Sequence, residues 1–261
     1  MIFKINGETP NVNVISLQRA ANVLDGSNAG RLKNGDMMRD IIGTYYNYTI
    51  EVSPKASDTA AYNDLYETIT APVESYPVEL PFGQSTLKFD AYTASAEDSL
   101  RYTNGTRNHW RGLKFTMTSK APQKTRPYTS YIAEGSGAVL RVDGHKFRLG
   151  ITSLQRKNTV LDDDNSGRLM SGVMERSIIG SYYNYTLGIE PIIQADYDTF
   201  YELISSPMEY HTLTVPYGSG ATTFKAYVSN VTDNLKAVHN LKNYWGGMKV
   251  NFIAMSPQRR P

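Results

Sequence analysis

The chain has 261 residues, with 27 basic side chains, 25 acidic side chains and no cysteine. This length leaves room for two domains of ordinary size. The net charge of +2 favours no particular charged partner. The absence of cysteine excludes disulfides, thiol nucleophiles and thiolate metal sites, and it fits assembly in a reducing cytosol. The opening segment does not resemble a signal peptide, and no apolar run approaches about 18 residues, so we expect no membrane insertion.

Most of the sequence occurs twice. Residues 16–49 align with residues 153–186 without a gap, and 22 of the 34 pairs are identical. After a deletion of two residues the match continues to the end of each copy. Copies of this size are large enough to form a core of their own. The sequence therefore predicts two tandem domains, residues 1–122 (the first repeat) and residues 138–261 (the second repeat), joined by a polar linker at 123–137.

The first half of each copy predicts a hairpin, a long loop and a strand, in that order. Asn6-Gly7 and its counterpart Asp143-Gly144 are tight-turn dipeptides between apolar residues, which indicates an opening hairpin. A polar, glycine-rich stretch follows at residues 22–40 (the first loop) and again at residues 159–177 (the second loop), and it predicts a long loop or an extended hairpin. Strict alternation of apolar and polar residues from Thr44 onward then indicates a half-buried strand.

The second half of each copy predicts one helix and three further strands. Apolar residues at Tyr62, Leu65, Tyr66 and Ile69 have helical spacing, and Pro72 ends the pattern. A second hairpin around Gly83 and a closing strand follow. The predicted fold class is mainly β (α+β), with two tandem antiparallel β-barrel or sandwich domains that each pack one helix.

Two tryptophans occupy matched positions before the closing strands. They are Trp110 in the first repeat and Trp245 in the second. We expect each to be buried against the helix of its own copy.

The sequence shows no set of residues typical of catalysis. The four histidines lie far apart without zinc-ligand spacing, and no nucleophile elbow, phosphate loop or dinucleotide fingerprint occurs. Residues 162–167 resemble the start of a calcium loop, but Val173 stands where the bidentate glutamate is required. We therefore predict no catalytic residue, no cofactor and no metal, and we expect that the protein is not an enzyme.

Both loops, with the strands that lead into them, carry the same polar residues, and these are the candidate contact residues. In the first repeat they are Arg19, Asp25, Asn28, Arg31 and Arg39, and in the second they are Arg156, Asp162, Asn165, Arg168 and Arg176. Guanidinium groups pair bidentately with carboxylates, so these residues suit directional contacts to another subunit. Alternatively, the same pairs hold each loop against its own domain.

The shared motifs SLQRxxxVLDxxNxGRLxxGxMxRxIIGxYYNYT, YxxLYE or YxxFYE, and NxWxGxKxxxxxxxxP resemble the repeat unit of tail structural proteins from bacteriophages and prophages of Gram-positive bacteria. The order of predicted elements is similar to the tail-tube fold of tube proteins, baseplate hubs and distal tail proteins. The resemblance implies that sheets of neighbouring subunits line a channel and that residues 22–40 and 159–177 reach a neighbour. It also implies a location in the virion tail after assembly in the host cytoplasm, with other tail proteins as partners and DNA only as passing cargo.

The leading hypothesis is a structural virion protein in the tail tube or at its distal end or baseplate. Tail tubes present sixfold symmetry, and three chains with two similar domains each would form a pseudo-sixfold ring, so we expect a homo-oligomer. The alternative is a baseplate adaptor or receptor-binding module whose exposed tyrosines stack on host cell-wall glycans.

Overall fold

The computed structural model describes residues 3–105, 107–129 and 140–261. Its described residues form mostly antiparallel β-structure, as the sequence predicts, together with two helices. The helices are α1 (Ala60–Thr70) and α2 (Gln194–Ile204). The strands are β1 (Lys4–Ile5), β2 (Val12–Asp25), β3 (Gly30–Arg31), β4 (Met37–Met38), β5 (Ile41–Pro54), β6 (Tyr76–Phe82), β7 (Ser85–Asn104), β8 (Arg107–Ser119), β9 (Arg141–Val142), β10 (His145–Lys146), β11 (Leu149–Asp162), β12 (Gly167–Arg168), β13 (Met174–Glu175), β14 (Ile178–Pro191), β15 (His211–Tyr217), β16 (Gly220–His239) and β17 (Lys242–Ala254).

The two repeats contain the same elements in the same order, except that the second has one additional short strand, β10. Strands β2 and β11 each have 14 residues, helices α1 and α2 have 11, strands β7 and β16 have 20, and strands β8 and β17 have 13. Each of the two loops contains a two-stranded hairpin, β3–β4 or β12–β13. The loops are thus extended hairpins, one of the two forms that their sequence predicts.

The chain divides into two compact units. Unit 1 consists of residues 1–22, 45–123 and 232–246, and unit 2 consists of residues 23–44, 124–231 and 247–261. The units differ from the predicted domain ranges by an exchange of segments. Most of the first loop belongs to unit 2, and residues 232–246, the tip of the β16–β17 hairpin, belong to unit 1.

In unit 1, antiparallel strands run in the order β1, β6, β7, β8, β5 and β2. Strand β5 places Tyr46, Tyr48 and Ile50 on one face, and all three are fully buried. The alternation predicted from Thr44 onward is therefore confirmed. Helix α1 buries Tyr62, Leu65 and Ile69, as its spacing predicts, whereas Tyr66, the fourth residue of the predicted face, is half-buried.

In unit 2, strand β14 pairs with β11 on one side and β17 on the other, while β15 pairs with β16 and β9. Helix α2 buries Tyr197, Phe200 and Ile204. Both units thus have an antiparallel sheet with one packed helix.

The predicted opening hairpin is confirmed in the second repeat, because β9 and β10 pair across Asp143 and Gly144. In the first repeat, Asn6 and Gly7 form a tight turn with positive φ values of 54° and 80°, and only a single bridge between Ile5 and Glu8 closes it, while β1 pairs with β6.

Strands β7 and β8 extend well beyond the buried residues near Leu113, because their exposed outer parts pair with each other as far as Asn104 and Arg107.

Part of the predicted linker, residues 130–137, lies outside the described residues. No helix among the described residues is long and apolar enough to cross a membrane.

Candidate assembly surfaces

Arg19 lies at the centre of a buried ion pair in unit 1. Its Nε and Nη2 donate to the two carboxylate oxygens of Asp233 at 2.9 and 2.6 Å. The Arg19 side chain is 1% exposed and that of Asp233 is fully buried. This bidentate geometry provides the direction and charge compensation that a buried guanidinium requires.

Aromatic rings cover the same guanidinium. Its central carbon lies 4.0 Å from the ring centroid of Trp245 and 4.9 Å from that of Phe82. The Trp245 indole donates from Nε1 to the carbonyl of Gly83 at 3.0 Å, and Trp245 is 1% exposed. Trp245 is therefore buried, and it contacts Arg19 and the β6–β7 turn of the first repeat, which are partners that the sequence did not predict.

The turn between β6 and β7 receives the tip of the β16–β17 hairpin. Asn243 donates its side-chain amide to the Gly83 carbonyl at 2.9 Å. Gln84 and the Asn243 backbone exchange two further hydrogen bonds of 2.8 and 3.1 Å. Gly83 has a φ of 51°, which turns its carbonyl toward these donors without steric cost.

The first loop is held in unit 2 by Arg31. This side chain donates to the carbonyls of Gly35, Ala254 and Met255 at 3.0 to 3.3 Å. Its guanidinium also lies 4.1 Å from the ring centroid of Tyr182, whose hydroxyl donates to the Gly35 carbonyl at 2.6 Å. The loop thus covers the end of strand β17.

A second arginine fixes the base of the first loop. Arg39 pairs with Asp25 at 3.0 Å, and its side chain is 1% exposed. It also donates to the Met208 carbonyl at 3.4 Å and lies 5.1 Å from the ring centroid of Tyr227.

Two contacts near the end of helix α2 complete this surface in unit 2. Lys124 forms an ion pair with Glu202. The buried hydroxyl of Thr44 donates to the Ser205 carbonyl at 2.6 Å. A positive side chain that follows the last strand of the first repeat thereby meets a negative one on the helix of the second.

The counterparts of Arg19, Phe82 and Lys124 in the second repeat line an open groove. They are Arg156, Tyr217 and Arg259, and Lys157 lies beside them. Arg156 is exposed, whereas Arg19 is buried. We call this groove the basic groove.

In the basic groove the hydroxyls of Tyr217 and Tyr183 share a hydrogen bond of 3.1 Å, and Tyr217 also accepts one from Arg259 at 2.9 Å. The bond with Tyr183 and the nearby guanidinium groups of Arg259 and Arg156 hold the pKa of Tyr217 below its usual value, whereas the bond with Tyr217 and burial raise the pKa of Tyr183. The basic groove therefore attracts negative charge.

The counterparts of Asp233, Trp245 and Glu202 in the first repeat form a second open surface in unit 1. They are Asp98, Trp110 and Glu67, with Asn63 and Tyr66 beside them. Trp110 is 37% exposed, which overturns the expectation that it is buried in its own copy. Asp98 accepts a hydrogen bond from the Tyr62 hydroxyl at 3.2 Å, which orients its carboxylate. Burial raises the pKa of Tyr62, and the negative charge and the hydrogen bond of Asp98 add to this. We call this surface the acidic patch.

The second loop repeats the internal contacts of the first. Arg176 makes two hydrogen bonds to Asp162 at 2.8 and 2.9 Å, and Arg168 donates to the Gly172 carbonyl at 2.9 Å. The Arg176 side chain is 44% exposed, in contrast to the buried Arg39. The arginine–aspartate pairs at both loop bases thus lie within their own loops.

The remaining candidate residues also stabilise their own loops. Asn28 donates to Asp40 at 3.2 Å. Asn165 uses its backbone and side chain to bond Asp163, which also accepts a hydrogen bond from Ser177 at 2.6 Å. These bonds, with that from Ser177 the largest cause, lower the pKa of Asp163.

Sequence reasoning selected Arg19 but missed its partners Asp233 and Trp245, and it missed the pair Lys124–Glu202. A signal was present, because all four positions match charged or aromatic residues in the other repeat. Among residues 3–105, 107–129 and 140–261, no cluster of three His, Asp or Glu side chains could hold a metal ion.

The chain matches no protein-family model, and no curated protein matches it.

Proposed function

We propose that this protein is a structural, non-enzymatic component of a phage tail, with two homologous tail-tube-like domains in tandem. Three chains would form a pseudo-sixfold ring in the tail tube, at its distal end or in the baseplate. The assembled protein would lie in the virion tail, with other tail proteins above and below the ring and with DNA only as passing cargo.

The observation that carries this proposal is the exchange of segments between the repeats. Unit 1 includes the hairpin tip of the second repeat, and unit 2 includes most of the loop of the first. The same reciprocal exchange, made between neighbouring chains, would join them into a ring. The repeat motifs supply the second support, because they resemble those of phage tail proteins.

The second candidate function is a baseplate adaptor that binds cell-wall glycans. The rings of Tyr183 and Tyr217 stack with centroids 5.4 Å apart in the basic groove. Aromatic faces with adjacent polar groups are suited to sugar rings. Binding of the isolated chain to purified cell walls, lost in Tyr217→Ala, would support this candidate.

Immunogold electron microscopy of phage particles tests the tail assignment. Antibodies against this chain should label the tail, and particles from a phage with the gene deleted should have no tail or an incomplete one. Unlabelled particles with normal tails in the deletion strain would exclude a structural role in the tail.

A further inference from the structure

We propose that a second copy of this chain fills the basic groove with its acidic patch, so that chains associate head to tail. The inference rests on the proposed ring-forming role and specifies its subunit contact. The contact between chains would have the same residue types as contacts that already exist within the chain. These are the contacts of Arg19 with Asp233 and Trp245 in unit 1 and of Lys124 with Glu202 in unit 2.

The strongest argument is the filled contact itself. Arg19 binds Asp233 in a buried, bidentate pair under the ring of Trp245. The second repeat carries Arg156 at the position of Arg19, and the first repeat carries Asp98 and Trp110 at the positions of Asp233 and Trp245. The same three groups are therefore present again, on surfaces that are open.

A second ion pair also has counterparts with the same signs of charge in the other repeat. Lys124 pairs with Glu202, and their counterparts are Arg259 and Glu67. Arg259 lies in the basic groove with Arg156, and Glu67 lies in the acidic patch with Asp98. Both ion pairs would thus form with the correct sign between two chains, whereas two basic grooves or two acidic patches facing each other would place like charges together.

The turn that accepts the tryptophan is also present twice. Gly218 has a φ of 58°, close to the 51° of Gly83, so its carbonyl can accept the indole N–H of Trp110 as Gly83 accepts that of Trp245. Tyr217 replaces Phe82 as the ring beside the guanidinium, and it lies 5.1 Å from Arg156.

The second loop has the apolar surface and the arginine that such a contact requires. Met170 and Val173 at its tip are 109% and 60% exposed. Arg168 donates to a carbonyl of its own loop, as Arg31 does. Arg31 also donates to the carbonyls of Ala254 and Met255, and the counterparts of these two residues in the first repeat are Ser119 and Lys120. A second chain would offer these carbonyls at the end of strand β8.

A contact between two different surfaces is heterologous, so it forms a closed ring or an open filament and not an isolated twofold dimer. Each added chain leaves one basic groove and one acidic patch free until the ring closes.

A charge-exchange experiment tests the contact. Glu67→Arg and Arg259→Glu each place like charges across it, and both wild-type side chains are exposed, so folding should be retained. We expect sedimentation velocity to show that each single variant associates at least about tenfold more weakly than the wild type. The double variant, which restores opposite charges, should recover association, and the two single variants should pair with each other in a mixture.

Circular dichroism and thermal melting of every variant provide the folding control. Asp98→Asn supplies a milder variant, because the amide keeps an acceptor for Tyr62 and removes only the charge. A wild-type chain that stays monomeric at its highest soluble concentration would overturn the inference, and so would a monomer that binds cell-wall glycans in this groove. Oligomers that persist unchanged in both single variants would overturn this contact and leave the ring-forming role standing.

Discussion

Trp245 and Trp110 occupy matched positions in the two repeats, yet they have opposite environments. Trp245 is 1% exposed under the Arg19–Asp233 pair, whereas Trp110 is 37% exposed beside Asp98. The local sequence around both is similar, so the difference lies in what covers them. Trp245 has a partner segment within its unit, and the surface around Trp110 is available to another molecule.

The largest difference in the free energy of unfolding is expected between alanine variants of the two matched arginines, Arg19 in β2 and Arg156 in β11. Arg19→Ala leaves the buried carboxylate of Asp233 without its partner, which should lower the free energy of unfolding by about 3–5 kcal/mol. Arg156→Ala removes an exposed side chain and should change it by at most about 0.5 kcal/mol. Urea unfolding of the monomeric chain measures both. Equal losses in the two variants would contradict the distinction between a filled and an open surface.

Alanine variants of the two tryptophans should also differ in stability. Trp245→Ala creates a cavity in a buried site and should cost about 3–5 kcal/mol. Trp110→Ala should cost about 1 kcal/mol or less, because much of its ring is exposed already. If Trp110 lies in the proposed contact between chains, Trp110→Ala should instead reduce association strongly. A Trp110→Ala chain that is as unstable as Trp245→Ala would indicate that Trp110 is a core residue.

Alanine substitutions at the loop glycines should show a smaller difference in stability between the two repeats. Gly35 and Gly172 have φ values of 86° and 82°, so alanine is strained equally at both. A Cβ at Gly35 would also collide with the Tyr182 hydroxyl and with Ile179, whereas at Gly172 it would meet no atom within 4 Å. We expect Gly35→Ala to cost about 1–3 kcal/mol more than Gly172→Ala. Identical melting temperatures would show that the first loop is not held where the structure places it.

The smallest effect concerns acid stability of the second loop. The pKa of Asp163 is lowered by bonds from Ser177 and Asn165. A lowered pKa in the folded state stabilises the fold at pH values above the unfolded value of about 3.9, and the contribution is lost as the pH falls through the folded value. Asp163→Asn should therefore lose stability at neutral pH and show a flatter melting profile below pH of about 4. A variant with the wild-type acid profile would contradict this role.

The sequence predicted the elements well and their partners poorly. The alternation in β5 and the helical spacing of α1 are local patterns, because burial on one face imposes a period of two or 3.6 residues. The pairing of Arg19 with Asp233 joins positions 214 residues apart, and no local pattern encodes it. The sequence also did not indicate the outer parts of β7 and β8. These parts are stabilised by pairing with each other and have no buried face, so they lack the apolar alternation that marks a strand.

The loop residues show the same limit. The sequence marked Arg39 and Arg176 as equivalent, and both indeed pair with an aspartate at the loop base. It could not show that Arg39 is buried and that Arg176 is exposed, because that difference depends on a segment far away along the chain.

Cysteine cross-linking tests most directly whether the open surfaces of two chains meet. The natural chain contains no cysteine, so each introduced thiol is unique. Asn243 and Gln84 contact each other in unit 1, and their counterparts are Asn108 and Ser219. When Asn108→Cys and Ser219→Cys chains are mixed and mildly oxidised, we predict a disulfide-linked dimer that forms faster than in either chain alone. A chain with Gln84→Cys and Asn243→Cys should close its disulfide internally at monomer mass. Cross-linking at the same slow rate in the mixture and in the separate chains would contradict the proposed contact.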